Sequence, residues 1–83
     1  MKIYTATLPV FGIGTIKATA KTEKEAKDLL TKRYFEAEVK WWELKFKQTI
    51  PPMVEQNIKT RIREDESNIK FESMTIGTVE ITD

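Results

Sequence analysis

The chain has 83 residues and a mass of 9.7 kDa, with 40% hydrophobic and 33% charged residues and a formal net charge of +1. A chain this short buries roughly 60% of its extended surface on folding, which supports one compact domain and leaves no material for a second core. It contains neither Cys nor His, so disulfides, thiolate nucleophiles, zinc–thiolate sites and the commonest acid–base side chain near neutral pH are all excluded.

Charge is unevenly spread. Residues 1–63 carry 13 Lys/Arg against 7 Asp/Glu, and residues 64–83 carry 1 against 6. The overall balance suits neither a strongly basic nucleic-acid binder nor an acidic mimic of DNA, and the acidic end is expected to pack beside the basic middle. The opening residues lack an apolar signal region. The longest apolar run, Leu8 to Ile13, contains a Pro and a Gly and falls far short of the ~20 residues of a membrane span. A cytoplasmic protein without membrane contact is therefore expected.

Lys2 to Leu8 is rich in β-branched and aromatic residues, with Tyr4, Ala6, Leu8 and Val10 on one face and Ile3, Thr5 and Thr7 on the other. This predicts a strand. Thr15 to Ala20 alternates again, with Ile16, Ala18 and Ala20 inward, and Pro9, Gly12 and Gly14 punctuate the connection. Two such runs joined by a glycine-bearing link predict a β-hairpin. Thr22-Glu23-Lys24-Glu25 is a capping-box sequence. Ala26, Leu29, Leu30, Tyr34 and Ala37 then recur at helical spacing, giving a face to lie on the hairpin.

The stripe continues through Trp41 and Leu44 if the helix continues. The same stretch also reads as a half-buried strand, because Trp42, Leu44 and Phe46 alternate with Glu43, Lys45 and Lys47. Helical continuation would bury Trp41 and expose Trp42, whereas a strand would exchange them. Pro51-Pro52 ends this element. Met53 to Glu64 reads as a helix with Val54, Ile58 and Ile62 on one face, favoured by its Glu, Gln, Lys and Arg content, with an exposed strand as the alternative. Glu64 to Asn68 reads as a polar loop. The remaining residues are β-like, and their apolar phase shifts at Ser73 and Gly77, as a bulge or turn would produce. The fold class is thus a single α+β domain over residues 1–83: a hairpin, a helix, a helical middle and one or two closing strands.

Chemistry-bearing patterns are sparse. Ser67 and Ser73 lack a neighbouring base or an oxyanion-binding glycine motif, so each reads as an ordinary loop or strand serine. Glu64-Asp65-Glu66 lacks the spacing of a calcium loop and reads as a solvated turn. Gly12-Ile13-Gly14 lacks the remaining elements of a phosphate cradle and reads as a hairpin connection. Trp41-Trp42 is more informative, because adjacent indoles cannot share one narrow face. One of them reaches the core rim or solvent, where Lys40, Lys45 and Lys47 surround it. A contact patch and a base-stacking platform are both compatible with that composition, as is a half-buried indole under lysine stems. Val10, Phe11 and Ile13 form a second apolar group at the hairpin tip, exposed unless long strands draw it into the core.

The opening KIYTATLPVFGIGTIKATAKTEKEAKDLL resembles the strand–hairpin–helix start of small bacteriophage accessory proteins, including those of the anti-defence type. The Thr-rich first strand, Leu8-Pro9-Val10, the glycine turn and Thr22-Glu23-Lys24-Glu25-Ala26 carry the likeness, which covers the first third of the chain. The resemblance implies a stoichiometric binder of a host or defence protein, as anti-CRISPR inhibitors are, and no functional residue follows from it. The expected function is a non-enzymatic protein-binding module without cofactor or metal. Its candidate contact residues are Val10, Phe11, Ile13, Trp41, Trp42, Lys45 and Lys47, and a homodimer is a further expectation. The alternative is a small single-stranded nucleic-acid binder using the tryptophans with Lys40, Lys45, Lys47, Lys59, Arg61 and Arg63.

Overall fold

A computed structural model describes residues 2–10 and 12–75. The element order is β1 (Lys2–Val10), β2 (Gly14–Ala20), α1 (Glu23–Phe46), α2 (Pro52–Asp65), a 3-10 turn (Glu66–Asn68) and β3 (Lys70–Thr75). The three strands form an antiparallel sheet in the order β2-β1-β3, with the first strand in the centre. This is the α+β domain that the sequence predicts, with one closing strand among the described residues.

The hairpin pairs Tyr4 with Ala20 through to Val10 with Gly14. Its connection is closed by the Ile13 amide donating to the Val10 carbonyl at 3.1 Å. Gly12 and Gly14 take φ of 86° and 110°, a region that side chains with a Cβ rarely enter. Alternation along β1 places Ala6, Leu8 and Val10 in the core, with Tyr4 partly buried beside them. The opposite face carries Thr5 and Thr19, whose hydroxyls lie 3.2 Å apart.

Helix α1 begins as the capping box requires. Thr22 has extended backbone, its hydroxyl accepts from the Glu25 amide at 3.1 Å, and the same hydroxyl lies 3.1 Å from the Glu25 carboxylate. The helix then runs unbroken to Phe46, so Trp42, Leu44 and Phe46 belong to a helix and the strand alternative is overturned. It stops without glycine: Lys47 adopts left-handed backbone (φ 54°, ψ 42°) and its amide donates to the Glu43 carbonyl at 2.8 Å. Glu43 also accepts the Ile50 amide at 3.2 Å through its carboxylate, holding the turn into α2. Pro52 occupies the first helical turn of α2, where its missing donor leaves no gap.

The core is one cluster. Ala26, Leu30 and Tyr34 of α1, Ala6, Leu8, Val10 and Ala18 of the hairpin, Ile58 and Ile62 of α2, and Ile69 all meet in it. Full burial of a residue such as Leu30 contributes about 1.5–3 kcal/mol. α2 lies along α1, and polar links join the two helices. The Tyr34 hydroxyl donates to Asp65 at 2.8 Å, the Arg61 guanidinium donates to Glu38 at 2.5 Å, and Lys27 pairs with Glu66 at 3.2 Å.

Those links correct the reading of residues 64–68 as a solvated polar loop. α2 continues through Asp65 and a 3-10 turn follows, because the carboxylates of Asp65 and Glu66 have partners on α1. β3 also differs from expectation at Ser73. The register is uninterrupted from Thr7–Lys70 to Lys2–Thr75, with Ser73 opposite Tyr4. The apolar phase shift there turns Phe71 to the Ala6 face and Met74 to the Ile3 face without a bulge. Gly77 lies outside the described residues.

Candidate functional site

The feature that organises the site is a mismatch of lengths. α1 has 24 residues and spans about 36 Å at ~1.5 Å per residue. The sheet beneath it ends at the hairpin tip, where Gly12 and Ile13 share a depression with Ala37, Lys40, Trp41 and Leu44 of the helix. Beyond that point no described strand lies under the sheet-facing stripe of α1. Trp41 is accordingly 48% exposed and Leu44 68% exposed. The expectation that Trp41 is the buried indole fails for this reason: its helical phase is that of a core residue, but it overhangs the end of the sheet.

Trp41 borders three adjoining depressions. One is the depression just described. A second lies between Gly12, Ile13, Trp41 and the Glu38–Arg61 pair. A third runs onto α2 along Trp42, Val54 and Asn57. Trp42 is half-buried toward α2 and packs on Phe46 with ring centroids 4.7 Å apart. Lys45 lies over the Trp41 ring at 4.7 Å and near Phe46 at 5.6 Å, a geometry in which the ring quadrupole attracts the ammonium. Met53, at the start of α2, is 75% exposed.

The candidate residues therefore separate. Ile13 and Trp41 line common depressions, and Lys45 lies over the Trp41 ring. Val10 is in the core, 9% exposed, drawn in by a strand that extends two residues beyond Leu8, and it offers no surface to a partner. Phe11 lies outside the described residues. Lys47 is exposed, and its backbone ends α1.

Residues that the sequence reading passed over belong to the same region. Leu44, Phe46 and Met53 supply exposed apolar surface, and the signal for them was a helix start at Thr22 followed by a stripe longer than any strand beneath it. Glu38 is buried, and no apolar pattern could mark it; only its contact with Arg61 of α2 explains its place. Tyr34 is buried beside it, and its phenol is held above the ordinary tyrosine range, first by desolvation and then by donation to Asp65.

Other patterns find structural uses. Ser73 sits in β3 and Ser67 in the 3-10 turn, and both are exposed. Among the described residues, no group of three or more carboxylates converges as metal ligands. No described helix is long and apolar enough to cross a membrane. No family model, no curated protein and no solved structure matches the chain.

Proposed function

We propose that this chain is a non-enzymatic protein-binding module whose docking face is the overhanging end of α1, completed by the hairpin tip and the start of α2. The observation that carries this reading is the exposure of Trp41 and Leu44, which share a depression with Ile13 at the hairpin tip, with Phe46 and Met53 exposed on the residues that follow. Apolar groups clustered in this way, with a tryptophan among them, are characteristic of surfaces that a partner covers. The absence of His and Cys and the use of both described serines in exposed backbone elements argue against catalysis. The resemblance of the first third to phage accessory and anti-defence proteins makes a host or defence protein the proposed partner, bound stoichiometrically in the manner of an anti-CRISPR inhibitor.

A single-stranded nucleic-acid binder is the competing reading, favoured by the lysines around Trp41. It is weakened by the packing, because Lys45 overlies Trp41 and Phe46 packs on Trp42. Arg61 and Lys59 are also engaged with Glu38 and Glu55. The deciding experiment is affinity capture from host lysate with and without nuclease, comparing the wild-type chain with Leu44→Asp. A protein retained after nuclease by wild type and lost by Leu44→Asp supports the docking face, provided the variant melts as wild type does. Retention by both chains, or loss on nuclease treatment, refutes it.

A further inference from the structure

Resting on that docking face, we propose that its occupant is an acidic amphipathic helix of the partner, with bulky aliphatic residues on one side flanked by Asp or Glu. The centre of the face is apolar: Trp41 and Leu44, about one helical turn apart on α1, share a depression with Ile13 of the hairpin tip. Exposed residues at this spacing form a ridge into which the side chains of a second helix interdigitate.

The rim gives the sign of the charge. Among the described residues, Lys24, Lys27, Lys59 and Arg61 pair with a carboxylate and the other cations do not; three of the latter, Lys40, Lys45 and Lys47, fall on the eight residues of α1 and its cap that carry Trp41 and Leu44. Glu43, the acid within this stretch, is turned onto the Ile50 amide and closes the helix turn. The apolar centre is thus accompanied by three cations with no carboxylate partner among the described residues, one of them, Lys45, lying over the Trp41 ring, and complementary charge steers and orients association. A second copy of this chain would bring its own Lys40, Lys45 and Lys47 against these, like charge facing like. A nucleic acid would need open aromatic faces, whereas the Trp41 ring lies under Lys45 and Leu44 has no π-face to offer.

The test uses the full-length chain labelled with 15N and two synthetic helical peptides. One carries a Leu stripe flanked by Glu with Ala spacers; the other has Lys in place of every Glu. The Glu peptide is expected to move the amides of Gly12, Ile13 and Lys40–Leu44. It should bind about tenfold tighter than the Lys peptide at low salt, the ratio shrinking toward unity near 0.5 M salt as screening sets in. Lys40→Glu with Lys45→Glu should reverse the preference while leaving the melting temperature in place. Equal binding of both peptides overturns the acidic-partner proposal and leaves the docking face standing. Movement of the same amides by oligo-dT but not by the Glu peptide overturns it in favour of nucleic acid, and a dimer by light scattering with unresponsive amides overturns it in favour of a second copy. No shift with either peptide at millimolar concentration, together with lysate capture unaffected by Leu44→Asp, overturns both the occupant and the face.

Discussion

The Glu38–Arg61 pair should respond very differently to loss of its two members. The Glu38 side chain is 9% exposed, whereas that of Arg61 is 57% exposed. Arg61→Ala leaves a carboxylate buried between α1 and α2 with its cation gone. Breaking a fully buried pair in this way costs about 3–5 kcal/mol. Because the cation here is more than half in solvent, water can enter the vacated space, and about 2–3 kcal/mol is the appropriate figure. Glu38→Met removes the charge, keeps the volume and frees an arginine that is already largely hydrated, so its cost should stay within about 1 kcal/mol. The double variant should resemble Glu38→Met alone, since no buried charge then remains. A domain of this size shifts by about 4–8 °C per kcal/mol, so Arg61→Ala should lower the melting temperature by roughly 10–20 °C while the other two variants stay within several degrees of wild type. Urea unfolding followed by circular dichroism should give the same order. Equal losses for Arg61→Ala and Glu38→Met, or a double variant whose loss equals their sum, would refute the reasoning, because either result removes the coupling that buried charge must produce.

Three further outcomes follow from the helix seams and ends. Tyr34→Phe should cost about 1.5–3 kcal/mol, the range for a hydrogen bond to a charged acceptor. Because the folded protein holds the Tyr34 phenol above its ordinary value, its contribution is fully present below about pH 10 and is lost as pH rises beyond it; urea midpoints from pH 8 to 11 should therefore fall more steeply for wild type than for Tyr34→Phe. Lys47→Gly should stabilise by about 0.5–1 kcal/mol, since glycine adopts the left-handed backbone without the Cβ clash, and a lower melting temperature would contradict the assigned helix end. Thr22→Ala should cost about 1 kcal/mol through loss of the N-cap bond, with Thr22→Ser close to wild type in the same thermal melts.

The hairpin, the capped start of α1 and the helical face of α2 were legible in the sequence because each depends on neighbours within a few residues. Alternation placed Ala6, Leu8 and Ala18 inside, and the capping box located Thr22. The end of α1 was not legible: it depends on a lysine in a backbone state that lysine does not prefer, with the Glu43 carbonyl accepting the Lys47 amide and the Glu43 carboxylate accepting the Ile50 amide. Asp65 and Glu66 looked like a solvated turn because their partners, Tyr34 and Lys27, lie more than thirty residues earlier. The docking face was half visible. Periodicity correctly put Trp41 on the sheet-facing stripe, but no local pattern states where the sheet beneath that stripe ends.

The central position of β1 has a consequence for the order in which the chain folds. Its pairing with β2 closes a short loop, but its pairing with β3 joins Thr7 to Lys70 and must close more than sixty residues. Loop-closure entropy sets that second pairing at a disadvantage of roughly 2–3 kcal/mol relative to the hairpin. The hairpin and α1 are contiguous and can assemble first, presenting one open edge of β1 as a template until both helices are in place. β3 then adds last, at a strand whose amides have waited longest for partners. The sheet is thus finished from the two ends of the chain, and its last seam is the one that should open first when the native protein fluctuates.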